Sequence, residues 1–163
     1  MILIGLGANL PSPAYGAPRQ TLAAALWALE ERGISVSGCS KWYVTAPVPV
    51  SDQPDFVNIV VAVDTDLEPG ELLEQLHALE ESFGRVRTQR NAARVLDIDL
   101  LDYNGQVSTE WPVMPHPRMD KRAFVLVPLR DIAPDWCHPV SGRTLDELLA
   151  GAPDIGGMRV LDA

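Results

Sequence analysis

The chain has 163 residues, 47% of them hydrophobic and 21% charged, a composition that fits one globular domain and argues against disorder. Thirteen lysines and arginines against 22 aspartates and glutamates leave a formal net charge of −9, which disfavours a nucleic-acid partner, because such proteins carry a basic face. The two cysteines, Cys39 and Cys137, are too few for a disulfide framework and lack metal-ligand spacing, so they read as buried free thiols in a reducing compartment.

The start, Met1-Ile2-Leu3-Ile4-Gly5, is apolar but lacks the charged segment of a signal peptide. No apolar run approaches membrane-spanning length, so a cytoplasmic protein with no membrane partner is expected. Residues 2–8 read as a buried strand that ends in Gly5-Leu6-Gly7-Ala8-Asn9-Leu10. A dinucleotide-binding loop would need a third glycine and an acidic residue closing a second parallel strand, and both are missing. The glycines are instead expected to serve a tight strand exit with close backbone packing.

Residues 17–32 read as a helix, with Leu22, Leu26 and Leu29 on one face and Gly33 as its stop. Residues 34–46 and 55–65, rich in Val, Ile and aromatics, read as two strands joined by the turn-rich stretch Pro47 to Pro54. A second helix runs from Pro69 to Gly84, with Leu72, Leu76, Leu79 and Phe83 at helical spacing. Four arginines, Arg85, Arg87, Arg90 and Arg94, then fall within ten positions, ahead of a strand containing Asp97-Ile98-Asp99. That strand ends at Tyr103-Asn104-Gly105, a strong hairpin-turn signal.

The order βαββαβ predicts a ferredoxin-like α+β fold, an antiparallel sheet covered by two helices on one face. Beyond it, residues 106–114 read as a short strand, residues 119–131 as a helix or a strand, and a short helix opens at Thr144 with Glu147 completing a capping box. There is no internal repeat or linker, so residues 1–163 are expected to form a single domain with a C-terminal extension.

Strand alternation puts Asp97 and Asp99 side by side, with Leu96, Ile98 and Leu100 on the other face. Two carboxylates next to clustered arginines suit a polyphosphate carried with Mg²⁺: oxygen ligands take the metal, and guanidinium groups pair with phosphate oxygens through two parallel hydrogen bonds. The plainer alternative is a solvated basic loop followed by an acidic strand edge. Phe56 and Asn58 share a face of their strand with Val60 and Ala62. A flat heterocycle would stack on Phe56 and satisfy Asn58, but so would an Asn bonded to nearby backbone, and spacing leaves both open. Pro115-His116-Pro117-Arg118, with Lys121, Arg122 and Phe124, is either a rigid turn or a second group closing on the same phosphates.

Six segments in order resemble one family. They are Gly5 to Leu10; Tyr43-Val44-Thr45-Ala46-Pro47; Asp52-Gln53-Pro54-Asp55-Phe56-Val57-Asn58; Gly84-Arg85-Val86-Arg87; Arg94 to Leu101; and Pro115 to Arg118 with Arg122 to Leu126 and Pro128-Leu129. The set is similar to the 6-hydroxymethyl-7,8-dihydropterin pyrophosphokinases of folate biosynthesis, across nearly the whole chain. The resemblance implies transfer of the β,γ-pyrophosphoryl unit of ATP to the pterin hydroxymethyl group, with two Mg²⁺ and release of AMP, by an expected monomer. It assigns both metals to Asp97 and Asp99. It places Phe56 and Phe124 on either side of the pterin, Asn58 at its pyrimidine edge, and Thr45, Pro47 and Val48 around it. Glu80, Arg85, Arg87, Arg94, Ile98, His116 and Arg122 fall to the nucleotide and phosphate site or the loop above it, with Arg85 and Arg94 in catalysis.

One departure stands out. Where the family has Trp-Gly-Pro, on a loop that closes over the substrates, this chain has Asn91-Ala92-Ala93. Trp111 is a smaller one, at a position that is basic in some members near the adenine. The rivals to a working pyrophosphokinase are a weakened homologue that binds pterin or nucleotide, another Asp-x-Asp nucleotidyl-transfer enzyme, and a non-catalytic ferredoxin-like ligand module.

Overall fold

In a computed structural model, residues 1–47, 49–84, 94–152 and 157–161 are described. β1 (Ile2–Ala8) lies centrally, pairing antiparallel with β4 (Phe56–Asp64) on one side and β5 (Asp97–Tyr103) on the other. Beyond β4, two short strands share its far edge: β2 (Ser35–Cys39) pairs with its C-terminal half and β3 (Tyr43–Thr45) with its N-terminal end. β6 (Arg159–Val160) adds to β3, giving the order β5-β1-β4-β3-β6. With α1 (Pro18–Glu31) and α2 (Pro69–Ser82) the order is βαβββαβ, the expected ferredoxin-like arrangement with its second strand divided into β2 and β3.

Alternation along the strands makes two cores. Ile4 and Leu6 of β1, Ile59 and Val61 of β4, and Ile98 and Leu100 of β5 pack against Leu22 and Leu29 of α1 and Leu72, Leu76 and Leu79 of α2. The opposite face, with Leu3, Val60, Ala62 and Leu101, meets α3 (Ala123–Ile132) through Leu126 and Leu129, and α4 (Leu145–Gly151) through Leu148 and Leu149. The C-terminal extension therefore supplies a second helical layer, where sequence periodicity placed helices on one face only. A bulge in β5 opposite Leu3 and Ile4 resets the alternation, so that Leu100 and Tyr103, three residues apart, both reach the first core.

Both long helices begin at a proline, which lacks the N–H that a first turn leaves unpaired. The side chain three residues in reaches back: Gln20 Oε1 accepts from Ala17 N at 2.8 Å, and Glu71 Oε2 from Glu68 N at 3.0 Å. Gly33 (φ 77°) and Gly84 (φ 91°) end them in the left-handed region that only glycine adopts without strain. Thr144 caps α4, its hydroxyl accepting from Glu147 N at 3.2 Å.

Three expectations need correction, and one open alternative is resolved. Residues 34–46 are two strands, because Ser40 diverts the chain: its hydroxyl accepts from Val60 N at 3.0 Å and donates to Lys41 O at 2.6 Å. Residues 106–114 contain only an isolated bridge between Ser108 and Met114. Residues 119–131 resolve into a short 3₁₀ turn, Met119–Lys121, followed by α3. Both cysteines are exposed, Cys39 at the end of the edge strand β2. Among the described residues, no helix is long and apolar enough to cross a membrane.

Candidate active site

β5 is an edge strand, so the backbone N–H of Ile98 points away from the sheet. Glu80, wholly buried on α2, accepts it through Oε2 at 2.8 Å and closes that edge. Asp97 and Asp99 project on the opposite face from Ile98 into a cavity of about 250 Å³. Arg94 Nη1 lies 2.8 Å from Asp97 Oδ1. His116 Nε2 and Arg122 Nη1 each lie 3.9 Å from a carboxylate oxygen of Asp99. His116 is brought there by its own N–H, which bonds to Leu101 O at 2.9 Å, and Arg122 by the 3₁₀ turn, through Met119 O.

The electrostatics are strained. Burial pushes the Asp99 carboxyl up to about 7, the Asp97 charge beside it adds to the rise, and the Arg122 guanidinium only partly offsets them. His116 is pushed down to about 4, by burial first and then by Arg122, so its ring is neutral at pH 7. Its Nδ1 accepts from Arg118 N at 3.1 Å, which assigns the ring proton to Nε2, the atom facing the carboxylates.

This donor set fits Mg²⁺. Among the described residues, no group of three or more His, Cys, Asp or Glu side chains converges on one point. Mg²⁺ does not need one: it keeps several waters and takes one or two carboxylates together with phosphate oxygens. Burial raises Asp99 first and the Asp97 charge beside it second, and a cation between the two carboxylates would relieve that repulsion.

Two strands over, on β4, the chemistry is neutral. Gly7 of β1 pairs with Asp97 on one side and Asn58 on the other, so all three share a row across the sheet. A Cβ on Gly7 would collide with Asn58 Oδ1, which makes the close backbone packing anticipated for this glycine concrete. Asn58 Nδ2 donates to Thr45 Oγ1 at 2.7 Å, so among the described residues its partner is a buried side chain on β3. Phe56 pairs with Thr45 and is half-buried. Phe124 stands in the first turn of α3, with the Arg122 guanidinium carbon 5.4 Å from its ring centre.

The structure thus gathers Glu80, Arg94, Asp97, Ile98, Asp99, His116 and Arg122 around one cavity. Thr45, Phe56, Asn58 and Phe124 lie beside it on β3, β4 and α3, and Pro47 is buried just beyond β3. Val48, Arg85, Arg87 and the Asn91-Ala92-Ala93 substitution lie outside the described residues. The cavity wall also includes His77, for which no role was anticipated. Its spacing of three from Glu80 on α2 was the signal that could have found it.

A family model described as 7,8-dihydro-6-hydroxymethylpterin-pyrophosphokinase matches residues 3–134. A 2-amino-4-hydroxy-6-hydroxymethyldihydropteridine pyrophosphokinase of Methylorubrum extorquens is 44% identical, over 96% of each chain. Its counterpart in Pseudomonas aeruginosa is 43% identical, over 93% of this chain and 91% of the relative. A solved Plasmodium falciparum HPPK-DHPS structure superposes with a TM-score of 0.71 at 16% identity, covering 91% of this chain. The chain spans 42% of that longer protein, and the likeness speaks for the fold alone. The family-model match and the identities to full-length relatives place this chain in the 7,8-dihydro-6-hydroxymethylpterin-pyrophosphokinase family.

Proposed function

We infer that the chain transfers the β,γ-pyrophosphoryl unit of ATP to 6-hydroxymethyl-7,8-dihydropterin, in folate biosynthesis, at the cavity walled by Asp97 and Asp99. The observation that carries this reading is the row Asp97–Gly7–Asn58, which sets a cation-seeking carboxylate pair next to a neutral amide suited to a heterocycle edge. The hydroxymethyl oxygen forms a bond to the β-phosphorus, the bridging oxygen leaves on AMP, and the hydroxyl proton passes to water.

Phosphoryl transfer asks mainly for positioning and charge neutralisation. Asp97 and Asp99 would hold Mg²⁺, two ions in this reading, and the metal supplies neutralisation of phosphate oxygens. Arg94 and Arg122, with Arg85 and Arg87 ahead of them, offer guanidinium groups to the polyphosphate. His116, neutral and protonated at Nε2, donates a hydrogen bond there without adding charge. Phe56 and Phe124 stack on the pterin, Asn58 reads its edge while Thr45 fixes the amide, and Pro47 and Val48 complete the pocket. The protein acts as a cytoplasmic monomer.

The test is release of AMP from ATP and 6-hydroxymethyl-7,8-dihydropterin with and without Mg²⁺. Metal-dependent AMP and pterin diphosphate in equal amounts support the reading, and their absence overturns it. The replacement of Trp-Gly-Pro by Asn91-Ala92-Ala93 motivates a second reading, a substrate-binding homologue with weak turnover. Tight binding of both substrates with turnover near background would select it.

A further inference from the structure

Asn9, the first residue after β1, is polar yet only 1% exposed. Its carboxamide ties together three segments distant in sequence. Oδ1 accepts from Arg94 N at 2.8 Å, while Nδ2 donates to Gln53 Oε1 at 3.1 Å and to the Pro54 carbonyl at 3.0 Å. The backbone N–H groups of Asn9 and Leu10 both donate to the Arg94 carbonyl, at 3.0 and 3.1 Å. On one side, then, stands Arg94, whose guanidinium grips Asp97. On the other stands Pro54, two residues ahead of β4 with its Phe56 and Asn58.

We propose that Asn9 is a positioning residue that holds the polyphosphate half of the site in register with the pterin half. Each half binds its substrate with its own side chains, so either can bind without the link. Reaction is more demanding, because the hydroxymethyl oxygen must meet the β-phosphorus in line, and small misplacements are costly to rate. Asn suits the post because it offers two donors and an acceptor in one plane. Aspartate keeps the acceptor toward Arg94 N but has no donor for Gln53 and Pro54.

The inference rests on the pyrophosphokinase reading, and one experiment separates the two. Wild type, Asn9→Asp, Gln53→Leu and Gln53→Glu are compared as full chains. AMP formation gives kcat, and equilibrium binding of Mg²⁺–α,β-methylene-ATP and of 6-hydroxymethylpterin, each alone, gives two Kd values. Asn9→Asp should lose roughly tenfold or more in kcat, with each Kd within about threefold of wild type. Gln53→Leu should move the same way by less, and Gln53→Glu, which keeps an acceptor for Asn9 Nδ2, should stay near wild type. If Asn9→Asp fails to fold, the contrast between the two variants at half-exposed Gln53 decides alone. A kcat near wild type in both Asn9→Asp and Gln53→Leu, or losses matched by equal losses in Kd, would overturn the positioning role. So would a Gln53→Glu protein as slow as Gln53→Leu. A wild-type protein that releases no AMP would overturn the functional reading, and this inference with it.

Discussion

The two halves of the site are built on opposite terms. On β3 and β4 the polar groups have found each other: Asn58 donates to Thr45, whose partner across the strands is Phe56. Around β5 burial, with neighbouring charges, holds the groups away from their ordinary states, Asp99 near 7 and His116 near 4. A surface that recognises a neutral heterocycle can be finished during folding, because its hydrogen bonds can be parked on its own side chains. A surface that recognises a polyphosphate with its metal is completed only by its ligand.

The comparison is most easily broken at the charged half. Asp97→Ala and Asp99→Ala should each cut turnover by roughly 100-fold or more while the protein still folds, since both side chains face a cavity and not a core. Turnover within about threefold of wild type in either variant would remove these residues from metal binding. At the neutral half, Phe56→Leu or Phe124→Leu should weaken pterin binding with little change for ATP. A stacked ring adds about 0.5–1.5 kcal/mol beyond the area it buries. Titrations showing equal losses for both ligands would return that ring to the core.

Thr45→Val tests whether the neutral half is pre-set. Removing one buried hydrogen bond costs about 0.5–1.5 kcal/mol. A loosened Asn58 should raise the pterin Kd several-fold and leave the nucleotide Kd alone; an unchanged pterin Kd would mean that Asn58 orients without Thr45. The smallest effect should be a stability signature of the charged half. The Asp99 carboxyl titrates near its ordinary 3.8 when unfolded and near 7 when folded, so its folded form prefers the proton. In metal-free wild-type protein that contribution is complete below about pH 4 and is lost as pH rises through 7. Asp99→Asn carries no such loss, so in EDTA its Tm should exceed that of wild type at pH 8, with the gap closing toward pH 4. Parallel Tm profiles for the two proteins would show that Asp99 is not held in its proton-preferring state.

Much of the architecture was legible because it follows single periods. Leu96, Ile98 and Leu100 alternate with Asp97 and Asp99, and all three are buried as alternation demands. Pro69 and Gly33 mark helix ends through local chemistry that needs no partner. What failed depends on contacts far along the chain. Ser40 interrupts a run that reads as one strand only because the Val60 N–H donates to its hydroxyl, and residues 119–131 carry apolar spacing that either period accommodates until α3 packs on Val60 and Leu101. Asp97 and Asp99 were found by pattern, whereas Asn9 was passed over, since its partners lie 44 and 85 positions away.

Gly7 carries a consequence for what mutation can reach. It lies between Asp97 and Asn58, and even a methyl group there must displace the Asn58 amide from its hydroxyl partner. A Gly7→Ala protein should therefore be blind to one substrate and nearly indifferent to the change with the other, though position 7 adjoins both. In the proposed site an absent side chain is a part of molecular recognition, and a lineage that filled it would give up the pterin before it gave up ATP.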